Sequence, residues 1–197
     1  MADQVGNRFD REKHEYSIRG VRVPSVSQLA SRLQDFGSIS AERLEFAADR
    51  GSKVHLACHL WDQGTLDEDA LDPQLHGYVR AWKAFCRDNE PEWDPLWMEV
   101  PAYHEVLRFA GTPDRGGIIG GELAVVDIKA VAQLSPVTGV QLAGYKLLMS
   151  HNGFEPTRRI AVQLRPDGTY ARRDFFKDID CRAFLSLLTL HNWESQK

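Results

Sequence analysis

Two carboxylates and an amine are spaced so that a simple fold would bring them to one point. Asp114 closes the segment Gly111-Thr-Pro-Asp, and thirteen residues later Val125-Val-Asp-Ile-Lys carries Asp127 and Lys129. On a strand, alternate side chains share a face, so Asp127 and Lys129 project together while Val126 and Ile128 pack on the opposite side. If the glycine-rich stretch 116–121 turns the chain back as a hairpin, Asp114 comes beside Asp127. Hard oxygen donors of this kind suit Mg²⁺ or Mn²⁺, and a neighbouring ammonium can polarise water or offset charge on a phosphorane. Taken alone, Asp-x-Lys is more often a solvated pair on a surface hairpin.

Other residues extend the pattern. His55 follows Gly51 by one helical turn, and Gln141 and Tyr145 lie one turn apart on the helix expected after the Asp-x-Lys strand. Arg158, Arg159, Arg165, Arg172 and Arg173 fall within sixteen residues that hold one acid, Asp167. On a hairpin they would form a basic face suited to phosphates, or a solvated edge kept apart by charge. His59 and His104 read as structural or solvent-facing, and Trp61, Trp82, Trp93, Trp97 and Trp193 as core residues.

The elements that must position these groups follow from periodicity. A short β-like stretch runs from Tyr16 to Pro24, and Ser25 or Ser27 then caps a helix carrying Leu29 and Leu33 that stops near Gly37. Ser40 caps a longer helix to about Gln63, whose Leu44, Ala47, Val54, Ala57, Cys58 and Trp61 recur at three- and four-residue steps. A third helix starts near Pro73. Strands are expected over Trp97–Tyr103, Val106–Thr112 and Leu123–Ala130, then a helix over Val137–Met149. In Arg159–Arg165, Ile160, Val162 and Leu164 face inward and Arg159, Gln163 and Arg165 outward. Pro166-Asp-Gly turns the chain into a partner strand, and a helix from about Asp180 to Trp193 closes the fold. This order predicts an α/β (α+β) fold with a mixed central sheet flanked by helices.

At 197 residues, 43% hydrophobic and 26% charged, the composition is that of one globular domain over 1–197, with 1–14 as a flexible N-terminal segment. The net charge of −4 gives no global case for nucleic acid, although a local basic face stays open. Three scattered cysteines without a Cys-x-x-Cys pair offer neither a disulfide framework nor an obvious zinc or iron–sulfur ligand set. No apolar run approaches the ~20 residues of a membrane span, and the start lacks a signal-peptide core, so a cytoplasmic protein is expected.

In order, Gly-x-x-x-His, Gly-Thr-Pro-Asp, Val-Val-Asp-Ile-Lys and Gln-Leu-Ala-Gly-Tyr resemble the RecB-type branch of the PD-(D/E)XK nuclease superfamily. The opening Tyr16…Val23-Pro-Ser-Val-Ser and the closing Val162-Gln-Leu-Arg-Pro-Asp-Gly-Thr-Tyr are similar to small phage- and prophage-encoded members, so the resemblance spans about 14–193. It implies a restriction-endonuclease-like core. It also implies Asp114, Asp127, the Ile128 carbonyl and His55 as metal ligands, and Lys129 as the catalytic lysine. Gln141 and Tyr145 would hold the DNA backbone or a strand end. The upstream acid of the family has two candidates, Glu99 and Glu105, and Glu99 sits in the more strand-like context. Asp127 stands where many relatives have Glu, a form that also occurs in the superfamily. The cluster cysteines of some relatives are absent. The implied activity is a Mg²⁺- or Mn²⁺-dependent deoxyribonuclease. The favoured form is a phage-type exonuclease on double-stranded ends in recombination or replication, in a bacterial host cytoplasm and with no iron–sulfur cluster. A structure-selective endonuclease, or a non-cleaving DNA-binding subunit working with an annealing protein, remains open, as does homo-oligomerisation.

Overall fold

The computed structural model describes residues 6–34, 37 and 40–195. In chain order the elements are β1 (Asn7–Asp10), β2 (Glu15–Ile18), β3 (Val21–Val23), α1 (Val26–Ser31), α2 (Ala41–Asp62) and α3 (His76–Asn89). They continue with β4 (Glu92–Met98), β5 (Ala102–His104), β6 (Phe109–Gly111), β7 (Arg115–Ile119), β8 (Glu122–Lys129), α4 (Val137–His151), β9 (Arg158–Leu164), β10 (Tyr170–Asp174) and α5 (Ile179–Glu194). The central sheet has the order β10-β9-β8-β7-β4, and its one parallel pair, β8 with β9, is joined by α4. Helices cover both faces, which gives a mixed α/β fold consistent with a restriction-endonuclease-like core.

Alternation along β8 feeds two cores. Val125 packs with Leu142, Leu148 and Phe184 of α4 and α5, while Val126 and Ile128 pack with Val54 of α2 and Trp82 and Phe85 of α3. Each such fully buried side chain contributes roughly 1.5–3 kcal/mol. A third, smaller core joins Tyr16, Ile18 and Val23 to Tyr103 and Ala110. Ser25 caps α1 in a reciprocal box with Gln28, and Ser40 caps α2. Among the described residues no helix is long and apolar enough to cross a membrane.

Several boundaries depart from the periodicity. Residues 7–10, expected within a flexible start, form β1 against β2. The stretch expected as one strand over 97–103 is broken between β4 and β5, where Glu99 adopts φ +56° ahead of Pro101. The strand expected from Val106 begins only at Phe109, because Arg108 takes φ +61° and its N–H closes a turn on the His104 carbonyl. Gly116 and Gly117 lie inside β7, and the turn is made by Gly120 and Gly121. A Cβ on Gly117 would stand 2.3 Å from the Glu92 carbonyl oxygen, so glycine there permits a close strand approach. Trp82 and Trp97 are buried as expected, but Trp193 is 55% exposed.

Two glycines separate packing from propensity. A Cβ on Gly77 would meet the Pro166 carbonyl oxygen at 1.8 Å, whereas one on Gly51 meets nothing within 4 Å. Gly77→Ala is expected to cost about 1–3 kcal/mol or more, and Gly51→Ala, inside α2, to stabilise by up to ~1 kcal/mol. Urea denaturation of both variants checks the pair.

Candidate metal centre

Three strand ends converge at one edge of the sheet. Met98 pairs with Arg115 and Arg115 with Val126, so Glu99 and Asp114 lie one residue beyond the β4–β7 and β7–β8 ladders, level with Asp127, which is still paired with Ala161 of β9. Asp114 is the hub. Its Oδ2 accepts the Ile128 N–H at 2.6 Å, and its Oδ1 lies 3.4 Å from Nδ1 of His55. His55 reaches over from α2, with Nε2 2.9 Å from the Ile128 carbonyl oxygen. A carbonyl only accepts, so Nε2 carries a proton, and Nδ1 faces Asp114 and, at 3.7 Å, Oε1 of Glu99. Burial alone would lower the pKa of this ring. The charges and hydrogen bonds of Asp114 and Glu99 outweigh it and push the pKa up to about 10. His55 in turn holds Asp114 below the usual carboxylate range against its burial.

A second chain of contacts runs beside the first. Asp127 is buried, with Oδ2 2.8 Å from Nζ of Lys129, and among the described residues its Oδ1 has no hydrogen-bond partner. Burial raises its pKa, the Lys129 ammonium opposes this and the Asp114 charge adds to it, for a result of about 6. Lys129 donates to Oε1 of Gln141 at 3.1 Å, and the Gln141 amide donates to the Tyr145 hydroxyl at 3.4 Å. Burial lowers the Lys129 pKa, but Asp127 and Asp114 raise it more.

The donor atoms of His55, Glu99 and Asp114 lie within 4.8 Å of one another. Two oxygens and one imidazole nitrogen at that separation, beside a buried Asp127 oxygen without a donor, form a set that fits a divalent cation. Asp127 stands apart from that trio and turns its other oxygen to Lys129. Of the two upstream acids, Glu99 enters the cluster, whereas Glu105 pairs with Asn7 and Arg19 at the far hairpin. His59 bonds to Gln63, and His104 stacks on His151; neither joins the cluster.

Of the two arrangements left open for the arginines of the β9–β10 hairpin, a basic face or a solvated edge, the structure does not bring the five onto one face. Asp174, just past the counted window, takes Arg158 at 2.5 Å and Arg172 at 2.9 Å. Arg159 is buried and donates to the Gly139 and Lys177 carbonyls, because α4 and α5 cover the face expected to be outward. Gln163 is buried there too, pinning the carbonyls of Val131 and Ala132. Arg165 and Arg173 stay at the surface, Arg165 near Thr169 and Arg173 over the Phe175 ring.

Sequence reasoning passed over Arg115 and Asp62. Arg115 is fully buried, and its Nε and Nη2 lie 2.8 and 2.7 Å from Oδ2 of Asp62. Its Nη1 donates to the Asp114 carbonyl at 2.5 Å and to Glu99 at 3.4 Å. Trp82 donates to the other Asp62 oxygen at 2.9 Å. The available signal was spacing: Asp62 follows His55 by two helical turns and therefore lies on the same side of α2.

No family model matches this chain, and no curated protein matches it. Solved structures of an alkaline exonuclease, LHK-Exo, from Laribacter hongkongensis align over most of both chains. One covers 87% of this chain and 90% of its own, at 16% identity and a TM-score of 0.42. The other, in complex with dAMP, covers 88% and 89%, at 17% identity and 0.46. Likeness at this level assigns no function.

The electrostatics set a pH dependence for the metal-free protein. His55 titrates near 10 when folded and near 6.5 when unfolded, so its stabilisation is fully present below pH 6.5 and lost as pH rises through 10. Asp127, raised to about 6, shifts stability in the same direction at lower pH, between about 3.8 and 6. Metal-free wild type should lose roughly 2–4 kcal/mol between pH 6.5 and 10. Melting curves of His55→Gln over that range should be nearly flat by comparison.

Proposed function

We propose that this chain is a divalent-cation-dependent deoxyribonuclease that hydrolyses phosphodiester bonds, with Mg²⁺ or Mn²⁺ as the cation. The observation that carries this reading is the convergence of Asp114, Glu99 and His55 beside the Asp127–Lys129–Gln141 chain at one sheet edge. Asp114, Asp127, Glu99, His55 and the Ile128 carbonyl would hold the cation. When bound, it supplies Lewis-acid polarisation of a phosphoryl oxygen and lowers the pKa of water.

The remaining work falls to the side chains. Lys129 keeps its ammonium at the partly open side of the site, where it neutralises charge that grows on a phosphoryl group in the transition state. Asp127 and Gln141 fix that ammonium from two directions, so little reorganisation is needed when the charge appears. Gln141, backed by the buried Tyr145, offers an amide to a phosphate oxygen. DNA as substrate, a phage-type exonuclease acting on double-stranded ends in recombination or replication, and an annealing protein as partner are the finer reading. The ordered motifs from Gly51-x-x-x-His55 to Gln141-Leu-Ala-Gly-Tyr145 support it.

Linear and circular plasmid incubated with Mg²⁺ or with EDTA tests the proposal. Loss of linear DNA with Mg²⁺ and none with EDTA is expected, with circles spared. Asp114→Ala and Asp127→Ala should each abolish cleavage, and near wild-type rates in either would overturn the site.

Lys129→Ala separates chemistry from binding. The rate should fall on the order of 10²–10³-fold, the scale for removing a preorganised charge-stabilising group. DNA affinity measured in Ca²⁺ should change by less than about tenfold, or ~1.4 kcal/mol. Lost binding with normal cutting at saturating DNA would make Lys129 a phosphate clamp instead.

A further inference from the structure

The backbone of Glu99 is anchored beside the cluster, but its side chain is not fixed by that anchor. It follows β4 in a left-handed conformation, φ +56°, its N–H shared at 3.2 Å between the Pro113 and Asp114 carbonyls. A non-glycine residue held this way is strained and persists only where its surroundings enforce it. Its side chain is about a quarter exposed, so solvent alone would let a three-torsion carboxylate swing away.

Arg115 supplies a constraint from one side, and His55, with Nδ1 3.7 Å from the same Glu99 oxygen, lies on the other. A single Nη1 spans Glu99 Oε1 and the Asp114 carbonyl, and so ties the end of β4 to the start of β7. On its opposite side the guanidinium donates from Nε to Asp62 and forms an ion pair with it, Trp82 holds Asp62 in turn, and the guanidinium packs 5.7 Å from the Trp82 ring centroid. A planar fork fixed along one edge presents its remaining nitrogen in one place only, which an ammonium on a flexible stem does not do. Asp62 and His55 share α2, so the same helix delivers one side of the cluster directly and the other through Arg115.

We propose that Arg115, locked by Asp62, is a positioning residue that presents Glu99 to the cation site. It touches neither cation nor substrate and acts through the Glu99 carboxylate. The proposal rests on the metal-centre reading above, and its test keeps the two apart.

The test is Mn²⁺ binding to the metal-free protein by calorimetry, without DNA or turnover, for wild type, Arg115→Lys, Glu99→Gln and the double variant. Binding by wild type that Asp114→Ala removes is the result the metal-centre reading requires, and its absence would overturn that reading. Given that binding, Arg115→Lys should weaken Mn²⁺ about tenfold, Glu99→Gln by a similar factor, and the double variant by little more than either. Factors that multiply, or an unchanged Mn²⁺ affinity in Arg115→Lys, would overturn the role of Arg115. If Arg115→Lys melts out, Asp62→Asn keeps the test: the released guanidinium is drawn onto Glu99, and the Mn²⁺ loss should again vanish in the Glu99→Gln background. An Asp62→Asn loss that persists there would overturn the proposal as well.

Discussion

The carboxylate of Asp114 is the constraint on which the rest of the site depends. It is nearly buried at the edge where β7 begins, and it accepts the backbone N–H of Ile128 while facing the ring of His55. One short side chain thereby fixes three relationships: the register of β7 against β8, the distance of α2 from the sheet edge, and the place where a cation could meet protein oxygen. A buried carboxylate without such partners would be expelled or protonated. Here the partners are supplied by elements far apart in sequence, so the fold has to close before the charge is tolerated.

That closure concentrates like charge. Glu99, Asp114 and Asp127 meet within one edge, with Asp62 behind them, against Lys129, Arg115 and a charged His55. Each positive group is shared: His55 between two acids, Arg115 between two acids and a carbonyl, Lys129 between an acid and an amide. Breaking one pair therefore leaves an uncompensated charge in a low-dielectric setting, which costs more than the pair itself contributes. Among the described residues, Oδ1 of Asp127 is one place where this compensation is incomplete, and a divalent cation is a species that would complete it.

Much of this was legible in the sequence because it depends on local period. The two-residue alternation of Val125 to Lys129 put Asp127 and Lys129 on one face, and α4 with Gln141 and Tyr145 covers that face. Ser40 marked one helix start, and of the two candidates Ser25 and Ser27 it is Ser25 that caps α1. Long-range facts were not legible. The arginine count on the last hairpin stopped one residue short of Asp174, and nothing local said that α4 and α5 would bury Arg159. Nothing local marked Arg115, since its partner Asp62 lies 53 positions away. The break at Glu99 was hidden for a similar reason: a left-handed glutamate is tolerated only where Pro113, Asp114 and Arg115 hold it.

Exposure across the site gives it a direction. Asp114 and Asp127 keep 8% and 1% of their side-chain surface, while His55, Glu99 and Lys129 keep 26%, 27% and 22%. A polyanion can reach only the second group, so the buried acids act through what they hold and not by meeting the substrate. Asp114 and Asp127 lie deep, while the Lys129 ammonium, on the same strand as Asp127, is partly exposed together with Glu99 and His55. A net charge of −4 is therefore no obstacle to a phosphate substrate. What an approaching group meets is the local field of Lys129 and of any cation held beside it, and at contact distance that field outweighs the average of the whole molecule.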